Sequence, residues 1–294
     1  MKAEIPDQLK SDVPQTTFGK ILTATPVVMA VIATMLAGLA SSEMTKAQYD
    51  RSLAAQQQSK AGDQWSFFQA KRLRGSMQRS TLDVLQSVAA VRPLPAETLH
   101  AAPAAVKAAL TDGSMPAPPA PAELAEHVKA ALEALEAGKP EAEIAGLLGQ
   151  VKEAPLAAAL AAARDRANAF DATLKPINHG IDQLEQALAK GGADATRDFT
   201  VARARYAANR YDTEARLNQA IATLLELQVR QNNISAERHH ARSQKFFYGM
   251  LAAQAGVIIS TFSLAARKRS MLWSLAAVAG LAAVLFSLYV YLYV

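Results

Sequence analysis

The chain has 294 residues and is 51% apolar yet only 6% aromatic, so its apolar content is largely alanine and leucine, a composition that favours helix. Its net charge of +5 comes from 31 basic and 26 acidic residues interspersed along the body, which argues against a nucleic-acid footprint despite a pI of 9.4. There is no cysteine, which excludes disulfides, thiolate nucleophiles and cysteine-ligated metals.

Residues 1–20 are polar, carry Pro6 and Pro14, and read as a loose tail. Residues 21–42, "ILTATPVVMAVIATMLAGLASS", hold no formal charge and are long enough to cross a bilayer core of about 30 Å. Pro26 is expected in the first turn of this span, where its missing N–H costs little. A signal peptide cleaved after Ala40 is the competing reading, but the apolar run is longer than an ordinary signal core.

Residues 43–91 read as one long helix, free of proline and rich in Ala, Gln, Lys and Arg. Met77, Thr81, Val84, Val88 and Val91 step by four and three, a short heptad stripe expected to face a partner helix. Residues 92–155 carry nine of the 13 prolines, and this Ala/Pro-rich segment reads as a helical insertion. Within it, one helix is expected over Pro121–Ala137, with Leu124, Val128, Ala131, Leu132 and Leu135 on one face, and another over Glu141–Glu153.

Residues 156–245 read as a helical hairpin turning at Gly191-Gly192. Its first arm has a seam of Phe170, Leu174, Ile177, Ile181, Leu184 and Leu188, with a kink expected at Pro176. Its second arm carries Leu217, Ile221 and Leu224 and leads into another apolar run. Two further spans follow, 246–266 and 270–294, joined only by Arg267, Lys268 and Arg269, so they must form an antiparallel membrane hairpin. Aromatic residues fall where interfaces are expected: Phe246, Phe247 and Tyr248 with Tyr289, Tyr291 and Tyr293 at one, and Trp273 at the other. The expected fold is therefore all-α, with three transmembrane helices (one N-terminal, then a C-terminal hairpin) carrying a long extramembrane helical, coiled-coil bundle.

Two stretches carry a family likeness. One is "DQWSFFQAK", Asp63 to Lys71; the other is the C-terminal block with "ERHHARSQKF", Glu237 to Phe246, an apolar span, a basic turn, Leu272-Trp273 and a final span. In motif and order the chain resembles a bacterial membrane family, domain of unknown function 4337. The resemblance covers roughly residues 15–90 and 195–294, while about 92–160 departs from it. It implies the fold and brings no activity.

Candidate sites follow from residue type and spacing. Small residues recur every fourth position in the spans, at Ala30, Thr34 and Gly38, at Ala252, Gly256 and Ser260, and at Ala276 and Gly280, a spacing that lets helices in lipid approach closely within or between subunits. Gln254, the one strongly polar residue in a span, is expected to bond a neighbouring helix. Trp65, Phe67 and Phe68 cover more than one helix face and are candidates for bundle core or partner contact. Arg238, His239, His240, Arg242 and Lys245, with the turn residues Arg267, Lys268 and Arg269, are placed to meet lipid headgroups. His127 and His179 read as solvent-facing. The Glu-x-x-His pairs Glu97/His100 and Glu237/His240 match half of a di-metal bundle motif, but one lies beside the membrane and the other in a proline-broken segment.

These readings point to a non-enzymatic membrane scaffold without cofactors. Its expected partners are membrane lipid and further copies of itself, or a larger membrane complex, and not nucleic acid. An accessory subunit of a transporter or respiratory enzyme is the second reading and a di-metal enzyme a remote third. The expected location is the bacterial inner membrane, with the tail and the basic turn in the cytoplasm and the helical domain periplasmic.

Overall fold

The computed structural model describes residues 16–188, 192–266 and 269–293, and among them there are helices and no strands. Eight helices follow in order: α1 Thr17–Val88, α2 Ala96–Leu99, α3 Ala104–Asp112, α4 Glu126–Glu136, α5 Glu141–Leu148, α6 Glu153–Leu188, α7 Ala193–Ala265 and α8 Arg269–Tyr293. The chain divides into two compact units, a membrane unit of Met1–Ser52 with Asn232–Val294 and a helical unit of Leu53–Gln231. Three of the helices, α1, α7 and α8, are long and apolar enough to cross a membrane, so this is a membrane protein.

In the membrane unit, α1 begins inside the stretch read as tail. The Thr16 hydroxyl accepts the Gly19 N–H at 3.2 Å, an N-cap that starts the helix early. Pro26 consequently stands well inside α1 and not in its first turn. Nearby threonines occupy backbone carbonyls, Thr23 on Gly19 at 3.2 Å and Thr25 on Ile21 at 2.7 Å.

The three spans pack through narrow seams. α1 presents Leu22, Met29, Ala33, Leu36 and Ala40; α7 presents Phe246, Ala253 and Ser260; α8 presents Ala276, Ala283 and Val290, all buried. Spacings of three, four and seven keep each set on one helix face. The Met29 thioether lies where the facing helices offer glycines: a Cβ at Gly280 would come 2.1 Å from Met29 Cε, and one at Gly256 would sit 3.5 Å from the Ala276 carbonyl. Val27, Val31, Met35, Ile258, Phe262 and Leu281 face outward, as a lipid-facing surface requires.

The helical unit is built around α7. Ile221 to Leu225 are five consecutive buried residues, which only a helix with neighbours on several sides can show. The expected seam of α6 packs here, with Phe170, Leu174, Ile177 and Ile181 buried and Leu184 and Leu188 partly so. Pro176 lies inside α6 without ending it. Gly191 falls outside the described residues.

The reading of residues 92–155 as an insertion needs correction. Leu99, Val106, Ala109 and Leu110 from this segment join Phe170, Leu174, Phe199 and Tyr206 in one core cluster. The approach is close: a Cβ at Gly180 would come 2.7 Å from a Val106 methyl. Gly113 ends α3 with φ +78°, a left-handed conformation in which glycine meets no Cβ penalty, and its carbonyl accepts a hydrogen bond from Asn209 at 3.0 Å. The prolines set the ends of these short helices, since Pro95, Pro103 and Pro140 occupy the residue before helices α2, α3 and α5. α4 starts at Glu126, later than expected, because Ala125 is still extended; Val128, Ala131 and Ala134 are its buried face.

The expected stripe on α1 also needs correction. Met77, Thr81, Val84 and Val88 are exposed, and the buried line is Ala54, Ala61 and Gly75, continued by the half-buried Leu82. These positions obey a strict seven-residue repeat that also includes Ala33, Ala40 and Ala47 earlier in the helix. α7 has its counterpart in Val201, Ala208, Ala215, Ala222, Val229 and Ala236, all buried. Small side chains at heptad spacing let two helices lie close, so the intimate contact runs through alanine and the larger residues are left outside. A Cβ at Gly75 would sit 3.2 Å from Asp212 Oδ1 on α7.

Candidate functional site

Where α1 and α7 leave the apolar runs, the membrane unit gathers its polar chemistry. Glu43 is the first charge after the α1 span, and it is buried. His239 Nδ1–H donates to its carboxylate at 2.6 Å, and Lys46 reaches the other oxygen at 2.8 Å. One turn closer to the span, the Ser243 hydroxyl donates to the Ala40 carbonyl at 2.7 Å. These bonds tie α1 to α7 at the edge of the apolar layer.

Burial opposes the charge on Glu43, but the hydrogen bonds from Lys46 and His239, with the Lys46 charge, outweigh it and hold its pKa below the ordinary 4.5. A carboxyl whose pKa is depressed by folding contributes stability above its unfolded value, and that contribution is lost as pH falls through the folded value. Unfolding of the purified protein is therefore expected to become easier as pH drops below about 4.5. Glu43→Gln is expected to flatten this dependence. An unchanged pH profile in that variant would show that the pair does not couple the helices.

Beside this pair a groove of about 500 Å³ opens between α1 and α7. Ala37, Ala40, Phe247 and Met250 form its apolar part, and Ser41, His240 and Gln244 its polar end. His240 Nε2 lies 3.0 Å from Gln244 Nε2, while its Nδ1 is buried without a partner. Arg238 is exposed; Arg242 and Lys245 are half-buried, and Arg242 Nε is also buried and unpartnered. Arg267 and Lys268 fall outside the described residues, and Arg269 opens α8.

At the other end of the spans, Trp273 Nε1–H donates to Thr25 Oγ1 at 2.9 Å and Phe18 packs edge-on against the Trp273 ring at 5.7 Å. The start of α1 thus lies beside the start of α8, as three antiparallel spans demand. Phe246 is buried, whereas Phe247, Tyr248, Tyr289 and Tyr293 are exposed, the last two rings stacking at 5.5 Å.

The aromatic motif belongs to the helical unit. Trp65 and Phe68 are half-buried and meet edge-on at 5.5 Å, with the Arg72 guanidinium 5.7 Å from the Phe68 ring. Phe67 is 54% exposed and looks over a pocket that also holds Gln64, Lys71 and Phe170. Lys71 from the same motif pairs with Glu214 of α7, and one helical stretch further on Arg79 pairs with Asp212.

This combination of an N-terminal span, the aromatic motif and a helical domain has a counterpart among protein families. A family model described as domain of unknown function DUF4337 matches residues 20–173, more than half of the chain. The chain belongs to the DUF4337 family. No curated protein and no solved structure matches it.

The DUF4337 match takes in nearly all of α1, the motif around Trp65 and the Ala/Pro-rich segment; α7 and α8 lie beyond it. Of the residues proposed for helix packing, Gly256, Ser260, Ala276 and Gly280 are buried in the three-span contact and Ala252 is half-buried. Ala30, Thr34 and Gly38 lie on the exposed side of α1 and take no part in it, because Met29, Ala33 and Leu36 point inward instead. Gln254 is exposed for the same reason, its neighbours Ala253 and Gly256 being the inward positions. His127 and His179 are exposed as expected. Glu97 and His100 belong to the helical unit and Glu237 and His240 to the membrane unit; among the described residues no three His, Asp or Glu side chains gather to hold a metal. Sequence reasoning missed Glu43 and Ser243. The signal for Glu43 was its place as the first charge after an uncharged span.

Proposed function

We propose that this DUF4337 protein is a non-enzymatic membrane scaffold that assembles with further copies of itself through its helical unit. The observation that carries this reading is the exposed side of α1, where Leu73, Met77, Val84 and Val88 are each more than half exposed. With Thr81 they form a row along one flank of the helix, opposite the alanine line already packed on α7. The charged side chains between helices are largely paired within the chain, Lys71 with Glu214, Arg79 with Asp212, Arg203 with Glu185 and Arg230 with Glu141. What the unit offers outward along this flank is apolar surface at coiled-coil spacing, a surface suited to another helix of the same kind.

The native mass of the detergent-purified protein tests the proposal. A symmetric assembly of one chain is expected, and the double variant Met77→Lys/Val84→Lys is expected to shift it towards the single-chain mass. Because these side chains are exposed, the fold of the single chain is expected to lose no more than a surface substitution costs, about 0.5 kcal/mol. A stoichiometric foreign subunit would replace this reading with that of an accessory subunit. An unchanged mass in the double variant would remove the α1 flank from the interface.

We also place the protein in a bacterial inner membrane with its N-terminal tail and the turn at 267–269 in the cytoplasm. The basic turn between two spans supports this, since translocating three close positive charges is costly and charges in a long domain count for little. The Thr25–Trp273 contact is consistent with it, setting the first turns of α1 and α8 together. The cysteine-free chain allows a direct test in intact cells. Ser114→Cys is expected to react with a membrane-impermeant thiol reagent and Ser270→Cys to be protected; the opposite pattern reverses the topology.

A further inference from the structure

We propose that the groove between α1 and α7 at residues 37–44 and 240–250 is a binding site for one anionic phospholipid, its acyl chain on the apolar part and its phosphate at the His240 end. Four observations converge on that occupant. The groove straddles the boundary of the apolar runs, since Ala37 and Ala40 belong to the α1 span and Phe247 and Met250 to the α7 span, whereas Met44, His240 and Gln244 lie just outside them. This is the depth at which a phospholipid changes from hydrocarbon to headgroup. The polar and apolar linings are arranged in the same order.

The polar end also has unused hydrogen-bonding capacity. His240 Nδ1, in the lining of the groove, is buried and lacks a partner in the chain. Buried polar groups normally have one, and a phosphate supplies an acceptor.

The charge balance selects an anionic lipid over a zwitterionic one. Arg238, Arg242 and Lys245 lie within two turns of α7, and the only acids in the neighbourhood along the two helices are Glu237 and Glu43. Glu43 is already engaged by Lys46 and His239. None of the three basic residues lines the groove, but on this stretch of α7 they exceed the free acids, and basic residues next to a membrane attract anionic headgroups.

Flanking rings complete the site. Phe247 and Tyr248, both in the lining, are exposed with their rings 6.5 Å apart, at the depth where such side chains occupy the interfacial layer.

The full-length protein, purified in detergent and incubated with phosphatidylglycerol or phosphatidylcholine of identical acyl chains, provides the test by native mass spectrometry. One phosphatidylglycerol per chain is expected to be retained about tenfold more strongly than phosphatidylcholine, an advantage in keeping with a few nearby basic residues. Ala37→Phe, which fills the apolar part, is expected to reduce retention of both lipids. Arg242→Gln, which removes one of the three nearby charges, is expected to weaken the preference between them while leaving the weaker binding in place. Unchanged helicity and thermal midpoint in each variant separate these effects from misfolding, and Ser41→Phe fills the groove from its exposed edge if Ala37→Phe does not fold. Equal retention of the two lipids in the wild type, or undiminished phosphatidylglycerol retention in the folded filling variant, would overturn the proposal. So would displacement of the lipid by millimolar inorganic phosphate, which would assign the polar end to a free anion.

Discussion

Excision of residues 92–155 behind a short Gly/Ser bridge is expected to abolish cooperative unfolding of the helical unit. The segment looks dispensable by composition, but Val106, Ala109 and Leu110 are almost fully buried against α6 and α7. Removing them leaves Phe170, Leu174, Ile177 and Tyr206 without one wall of their core. Point variants grade the effect. Val106→Ala is expected to cost about 1–3 kcal/mol through lost contacts and a small cavity. Val106→Asp, which buries a charge against a wall of apolar side chains, is expected to cost upwards of about 4 kcal/mol. Circular dichroism melts in detergent measure all three. A deletion variant that melts at the wild-type midpoint with a sharp transition would show that α6 and α7 close their own core.

Gly256→Ile is expected to loosen the three-span packing, whereas Gly256→Ala is expected to leave it nearly intact. A Cβ at this position would sit 3.5 Å from the Ala276 carbonyl and 3.5 Å from Met29 Sδ, an ordinary van der Waals distance. Alanine therefore fits. Isoleucine adds γ-carbons that meet the α8 backbone, which has no rotamer to change, so the helices must separate at a cost of about 1–3 kcal/mol. Resistance to unfolding in a graded denaturing detergent separates the two variants. Equal resistance in isoleucine, alanine and wild-type proteins would mean that α7 and α8 do not rely on this approach.

Both expectations rest on how small residues are distributed, and that is where sequence and tertiary structure divide the work. The three apolar runs, the order of span, motif and hairpin, and the seam from Phe170 to Ile181 were legible from the sequence because charge depletion and large apolar side chains stand out against a polar background. The glycines at 256 and 280 were legible as candidates because small residues stand four apart at Ala252, Gly256 and Ser260 and at Ala276 and Gly280.

The inward face of α1 was not. In an Ala-rich helix a line of alanines every seven residues is hidden among alanines that face solvent, so the periodicity of larger residues pointed to Met77, Val84 and Val88 instead. Only the packed structure shows that Ala54 and Ala61 are buried while those three are exposed, because helix–helix distance, set by the facing line of Ala208, Ala215 and Ala222, decides which side chains fit between. The Ala/Pro-rich segment divided in the same way. Its prolines marked the breaks between helices from sequence alone, since each removes an N–H and fixes φ. Whether α3 lay on the core or away from it depended on a contact between Val106 and Gly180, residues 74 positions apart, whose complementarity exists only once α6 is in place. The basic-His block was visible as a charge cluster, but the burial of Glu43 beneath His239 and the groove beside it arise from α1 and α7 meeting, which no local pattern in either helix contains.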